Sequence, residues 1–237
     1  MPDKRISPLR ILAEILVIFL GVTLSLVADD WREGRASAET QRAVLTELSE
    51  DLASDYDEMK DISDLMRGWD AASMWLIQAR GRPSEASDSA LVQIGTLSWY
   101  RQYQAVHGAY DALGNGGQIG LIEDLSLRRD LVDYYERSQV FLAWQYERCI
   151  KVYDNELTPL FWSHLAMPPS QEATSFDPAP EPRFTTSFAE FIRDPRAERT
   201  LSRTGLTAAS WIRNARRAME VNVSLRERIE ELLAESG

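Results

Sequence analysis

The chain has 237 residues, of which 44% are hydrophobic and 27% are charged, a composition typical of a folded protein. Its net charge of −11 argues against a protein that binds nucleic-acid backbones, because such binding needs a concentrated basic surface. Cys149 is the only cysteine, and His107 and His164 are the only histidines, so we expect no disulfide, no metal, no cofactor and no His-based catalytic triad.

A transmembrane helix is predicted over residues 11–30, after a basic N-terminal tail at 1–10. Residues 11–28 read ILAEILVIFLGVTLSLVA and contain one charged residue, Glu14. At 1.5 Å per residue, this run is roughly 27 Å long, close to the thickness of a hydrocarbon core. A signal peptide is the alternative, but its apolar region is usually about 7–15 residues, and Leu26 is unsuited to a cleavage site.

The ends of the predicted span carry residues typical of a membrane interface, namely Arg10, Trp31 and Arg32. The Lys4-Arg5 pair and the free amino group favour a cytoplasmic N terminus. We therefore expect a single-pass protein of a bacterial inner membrane with a periplasmic large domain, and a cytoplasmic domain is the alternative.

One stripe of the predicted span carries small and polar side chains. Glu14, Gly21, Ser25 and Ala28 lie within about 40° of one line on a helical projection. Small residues let helix backbones approach closely, and a carboxylate in hydrocarbon usually faces protein or water. We predict self-association of the span through these four residues. Alternatively, Glu14 serves ion conduction, or it reaches the membrane edge and pairs with Arg10.

A long helix is predicted to continue from the span to about Ala79. Apolar residues recur at heptad positions, with Asp55 as the polar exception: Leu45, Leu48, Leu52, Met59, Ile62, Met66, Trp69 and Leu76. An intermolecular coiled coil and an intramolecular bundle both fit this stripe, and the apolar faces of the later helices favour the bundle. We expect a solvated acidic face off the stripe, made of Glu47, Glu50, Asp51, Asp57, Glu58, Asp61 and Asp64.

Further helices are predicted over residues 87–98 and 125–166, the second interrupted at Pro159. Glycines 114–117 lack a phosphate-loop motif and are predicted to cap a helix. Residues 167–186, with five prolines, are predicted to form a loop. A short helix at 187–193 and a long one at 197–234 follow, the latter with its apolar side at Leu201, Ala209, Ile212, Met219, Val223, Ile229 and Leu233.

The sequence thus predicts an all-α protein: one N-terminal transmembrane helix continuing into a long helix, then an antiparallel helical bundle. The bundle domain is expected at 31–166, followed by the proline-rich loop and by a C-terminal helical segment at 187–237 that packs on the bundle. No segment shows the alternation of a strand, and Cys149 and His164 are expected to be packing or surface residues.

Two stretches resemble a bacterial family of single-span membrane proteins with no assigned function. One runs from Glu14 through Gly21 to Asp29-Asp30-Trp31, and the other runs from Tyr110-Asp111-Ala112-Leu113 to Tyr134-Tyr135. In that family a Glu opens the span, a glycine lies mid-span and a polar pair precedes a Trp; here Asp29-Asp30 replaces the expected amides. The resemblance covers roughly residues 11–150 and implies the anchor and the helical domain, but no activity.

These observations predict a membrane-anchored interaction or scaffold protein that is not an enzyme. Its expected partners are the lipid bilayer, further copies of the chain and an unidentified membrane protein, but not nucleic acid. One alternative is a subunit of an ion-conducting or ion-coupled membrane assembly that uses Glu14. Another is a periplasmic ligand sensor that acts through a partner.

Overall fold

The computed structural model describes residues 8–84, 86–166 and 183–235, and only the backbone of 8–18, 28–30 and 33–34. Most of the predicted N-terminal tail and most of the proline-rich loop lie outside these residues. The described chain is mostly helical, which confirms the all-α prediction.

Eight α-helices follow one another in the described chain, with one short strand pair. Their bounds are α1 Pro8–Ala79, α2 Ser87–Leu97, α3 Gly108–Asn115, α4 Leu125–Asp133, α5 Val140–Val152, α6 Thr158–His164, β1 Leu165–Ala166, β2 Arg183–Phe184, α7 Phe188–Arg193 and α8 Pro195–Glu235. A 3-10 turn spans Ile119–Leu121, and two π-helical segments, Tyr134–Gln139 and Tyr153–Leu157, join α4 to α5 and α5 to α6.

The heptad stripe of α1 forms the core of the bundle, as predicted. All eight apolar residues of the stripe are buried, and so is Asp55 at its polar position. The bundle interpretation is confirmed, because the stripe packs within the chain, mainly against α8.

Helices α1 and α8 run antiparallel. Three contacts fix this direction: the Asn222 side chain with the Leu52 carbonyl, Gly205 with Asp70, and Arg80 with Glu198. The backbones approach closely at Gly205, where a Cβ atom would lie 3.2 Å from Asp70 Oδ1 and 3.4 Å from Ser73 Cβ.

The buried face of α8 differs from the predicted face by one residue at four positions. Leu201 and Ile229 are buried as predicted, but the interior positions between them are occupied by Ala208, Trp211, Ala218 and Asn222 rather than by Ala209, Ile212, Met219 and Val223. Of the predicted residues, Ile212, Met219 and Leu233 pack at the edge of the core. The predicted Val223 is 38% exposed. Between the large residues Leu201, Trp211, Leu225 and Ile229, small and polar residues fill this face, because α1 contributes large side chains to the shared core.

The strand pair was not predicted. Leu165 pairs with Phe184 and Ala166 with Arg183 in antiparallel register. Phe184 packs against Phe188 and Phe191 of α7, and Phe191 packs against Phe161 of α6, so the pair is fixed by aromatic contacts rather than by strand length. The short helix predicted at 187–193 is confirmed as α7, and its N-cap is Ser187. Gly117 adopts a left-handed φ of 64° after α3, which agrees with the predicted capping role of these glycines.

The N-terminal part of α1 extends beyond the bundle. Every described side chain from Phe19 to Thr40 is exposed, and burial begins at Leu45. Within the predicted span at 11–30, the structure describes the side chains of residues 19–27 and only the backbone of the others. Among the residues that the structure describes, no helix is both long enough and apolar enough to cross a membrane.

Candidate functional site

A non-helical segment, residues 98–107, lies between α1 and the helical run from α4 to α6, and side chains from both sides bind its backbone. Acids of α1 accept from N–H groups within or just after the segment: Glu58 from Gln104 at 3.1 Å, Asp55 from Val106 at 3.2 Å and Asp51 from Ala109 at 2.6 Å. Residues at these spacings share one face of a helix. Asp51 and Glu58 are therefore half-buried ligands of a loop, which corrects the prediction that they belong to a solvated face.

Donors on the opposite side bind the carbonyl groups of the same segment. The side chains repeat every seven residues: Gln139 donates to Val106, Tyr146 to Arg101 and Tyr153 to Ser98. A segment without strand neighbours must find other partners for its buried backbone groups. Here α1 supplies the hydrogen-bond acceptors and the helical run on the opposite side supplies the donors. The segment is therefore bonded along both edges, as a strand is in a sheet.

Asp55 lies at the centre of this arrangement and is fully buried. The Tyr134 hydroxyl donates to Asp55 Oδ2, and Asn222 of α8 donates to the Tyr134 oxygen at 2.9 Å. Burial raises the pKa of Asp55, although the hydrogen bonds from Tyr134 and Gln139 oppose that effect. The three residues connect α1, the first π-helical segment and α8.

The π-helical segment Tyr134–Gln139 makes this geometry possible. Residues five apart on an α-helix point about 140° away from each other. In a π-turn the hydrogen bond runs between residues five apart, so such residues lie nearly on the same face. Tyr134 therefore reaches Asp55 while Gln139 reaches the neighbouring Val106 carbonyl.

Tyrosines surround the buried carboxyl group. Tyr135 stacks on Tyr110 with ring centroids 4.4 Å apart and meets Tyr134 edge-on at 5.1 Å. Within the described residues, the buried hydroxyls of Tyr103 and Tyr135 have no hydrogen-bond partner. Burial and the neighbouring Glu136 raise the pKa of Tyr110 to about 12. The Tyr110 hydroxyl therefore stays protonated and donates a hydrogen bond to Glu136 Oε1 at 3.2 Å.

An open groove of about 240 Å³ lies on the outer side of these tyrosines. His107 and Asp111 form a 2.7 Å contact at its edge, and Glu136 lies among the lining residues. Among the described residues, no group of three or more His, Cys, Asp or Glu side chains could hold a metal ion. The groove offers hydrogen-bond acceptors and an aromatic wall, but its lining contains no serine, threonine or cysteine nucleophile.

His164 and Cys149 have structural positions. His164 Nε2 contacts Asp194 Oδ2 at 3.0 Å, and Arg196 and His164 hold the pKa of Asp194 well below its usual range. Asp194 also accepts from the Arg196 N–H at the start of α8, so His164 fixes the strand pair to that helix. Cys149 is buried, and burial raises its pKa to about 11, which makes it a poor nucleophile.

Of the predicted association residues, the structure describes the side-chain positions of Gly21 and Ser25. Gly21 and Ser25 are exposed, and a Cβ atom at Gly21 would meet nothing within 4 Å. The side chains of Arg10, Glu14 and Ala28 lie outside the described residues. Trp31 is 65% exposed, Arg32 is exposed, and the Arg35 guanidinium lies 5.4 Å from the Trp31 ring. Their roles in association and at the interface stay predictions.

Sequence reasoning identified Asp55 as an irregular heptad position but missed its partners. Tyr134 and Asn222 are 79 and 88 residues away from their partners in this cluster, a separation that local patterns do not reveal. The seven-residue spacing of Gln139, Tyr146 and Tyr153 was the available signal, because it places three donors on one helical face.

No protein-family model matches the chain, and the comparisons with curated proteins and with solved structures give no significant match.

Proposed function

We propose that the chain is a membrane-anchored helical interaction protein that associates with copies of itself through its N-terminal helix. The observation that carries the proposal is the exposed apolar surface of α1 outside the bundle. Phe19 and Leu24 are each 67% exposed, and Leu26 is 60% exposed. A protein rarely leaves such a contiguous patch in water, and patches of this kind mark membrane or protein contacts.

The sequence of residues 11–28 supports a bilayer as the environment of this surface. The run is long enough to cross a hydrocarbon core as a helix and contains one charged residue. Trp31 and Arg32 follow it, and both side chains suit the headgroup region. In this proposal the large side chains Phe19 and Leu24 face lipid.

The distance between this segment and the bundle supports a scaffold role. Asp30 and Leu45 are separated by 15 positions of continuous helix, about 22 Å at 1.5 Å per residue. The bundle would therefore stand away from the headgroups, on the periplasmic side in the orientation that the basic N terminus favours. The proposal includes no enzymatic activity.

Vesicle flotation tests the anchor. We expect the full chain to float with vesicles of zwitterionic lipid and to stay with them after alkaline washing. The chain beginning at Asp30 keeps all core residues, which start at Leu45, and should remain at the bottom of the gradient in folded form. Release of the full chain by the alkaline wash would contradict a membrane span.

A further inference from the structure

A second surface of the protein has the features of a binding groove. Helices α5 and α8 run antiparallel: Asn214 of α8 donates to Gln145 at 2.9 Å, whereas Arg203, earlier on α8, pairs with Glu156 just after α5. The Trp211 indole N–H also donates to the Leu142 carbonyl at 3.2 Å. Three cavities of about 290, 190 and 190 Å³ follow one another along the outer side of this helix pair. We call them together the α5–α8 groove.

The charge of this groove is opposite to that of the chain. Against a net charge of −11, its lining contains one acid, Glu156, and five cations: Arg148, Lys151, Arg203, Arg213 and Arg217. Lys151 pairs with Glu147 and Arg203 pairs with Glu156. Within the described parts of the chain, the other three arginines have no carboxylate partner, so their charges are available to a ligand.

Exposed apolar side chains lie among these cations. Leu206 is 67% exposed and Val221 is 42% exposed on the α8 side. On the α5 side, Phe141 stacks on Trp144 at 5.8 Å, and the Arg148 guanidinium lies 5.0 Å from the Trp144 ring. Aromatic residues and arginine are enriched at protein interfaces and dominate their binding energy.

We propose that the α5–α8 groove binds an acidic amphipathic helix of a partner protein. The groove extends from Arg203 to Val221, about 27 Å along α8, which is the length of a helix of roughly 18 residues. Apolar side chains along one face of such a helix would contact Leu206, Phe141 and Val221. Its flanking carboxylates would pair with Arg148, Arg213 and Arg217.

A protein helix suits this groove better than the other anionic partners do. A flat bilayer surface would leave the concave cavities unfilled, and a nucleic-acid backbone would not use the apolar positions. The groove is lined by α5, by the two π-helical segments that flank it and by α8, with no residue of α1. This proposal therefore does not depend on the association of the N-terminal helix.

A peptide-binding measurement with the full chain in zwitterionic nanodiscs tests the proposal. The probe is a fluorescent amphipathic helix of about 18 residues with leucines on one face and glutamates beside them. We expect binding of this peptide and no binding of its counterpart with lysine at each glutamate. Arg213→Glu with Arg217→Glu should weaken binding at least about tenfold. Leu206→Ala should also weaken it without a change of charge.

Arg216→Glu is the matched control, because Arg216 is exposed on α8 and does not line the groove. It lies about 60° around the helix from Arg213 and about 100° from Arg217. It should change the affinity less than about twofold, since distant surface charges are screened. The proposal is overturned if Arg216→Glu is as harmful as the double change, or if a polyglutamate without leucines binds equally well. Displacement of the peptide by anionic vesicles would also overturn it, because the groove would then bind a membrane. So would a lower mass of the protein after the double change, because the groove would then bind a second copy of the chain.

Discussion

Asp55 shows how one residue can decide the internal structure of this bundle. A carboxyl group at a heptad core position is costly unless its oxygens are bonded. Here those oxygens bind the Tyr134 hydroxyl and the Val106 N–H, and the residue therefore selects where the non-helical segment lies. An apolar residue would pack in the same place but would leave the Val106 N–H without its acceptor.

Replacing Asp55 by Asn should remove a specific pH dependence of stability. The raised pKa of Asp55 means that the folded protein holds this proton more tightly than the unfolded chain, whose reference value is 3.8. Its contribution to stability is complete below that value and is lost as pH rises through the folded pKa. Relative to Asp55→Asn, the wild type should therefore lose free energy of unfolding as pH increases above about 4.

Urea unfolding at a series of pH values, with the chain beginning at Asp30, measures this difference. All other groups titrate in both proteins, so their effects largely cancel in the comparison. The free energies of unfolding of the two proteins are compared from about pH 4 to pH 7, where a carboxyl group of raised pKa titrates. A constant difference across this range would show that Asp55 does not keep its proton in the bundle.

At the scale of the elements, hydrophobic periodicity predicted α1 because its buried face consists of large apolar residues. It misplaced the face of α8 because the interior positions there are Thr200, Thr204, Gly205 and Asn222, which a hydrophobicity pattern does not mark. The π-helical segments were also missed, since they are fixed by contacts with α1 and the 98–107 segment rather than by local composition.

Two glycines in helices should respond in opposite ways to a larger side chain. Gly205→Leu should destabilise the bundle by about 1–3 kcal/mol, because a Cβ there already meets Asp70 and Ser73. Gly95→Ala in α2 has open space around the new methyl group and should stabilise by roughly 0.5–1 kcal/mol through helix propensity. Thermal unfolding of both variants beside the wild type checks the pair. A neutral Gly205→Leu would show that α1 and α8 are further apart than the structure has them.

At the scale of the whole molecule, composition and periodicity predicted the helical class, and the structure adds the internal arrangement. The acidic face of α1 illustrates the difference: sequence separates these acids from the core, but only the fold shows that Asp51 and Glu58 bind a loop. The basic α5–α8 groove was missed for a similar reason, because its cations come from helices 50 or more residues apart in the chain.

The described chain is a helical bundle whose first helix, α1, extends beyond the core with exposed apolar side chains. The bundle needs no second copy for its core, since the heptad stripe of α1 is covered by the chain's own helices. Association is therefore proposed for the N-terminal helix alone, at Glu14, Gly21, Ser25 and Ala28.

The mass of the full chain in nanodiscs, measured beside Gly21→Leu, tests this claim most directly. Val22→Leu is the control, because it places the same side chain on the neighbouring residue, about 100° around the helix. We expect a defined multimer for the wild type and for Val22→Leu, and a lower mass for Gly21→Leu, whose added bulk prevents close approach of the helices. A monomeric wild type, or a Gly21→Leu variant of unchanged mass, would contradict self-association through this stripe.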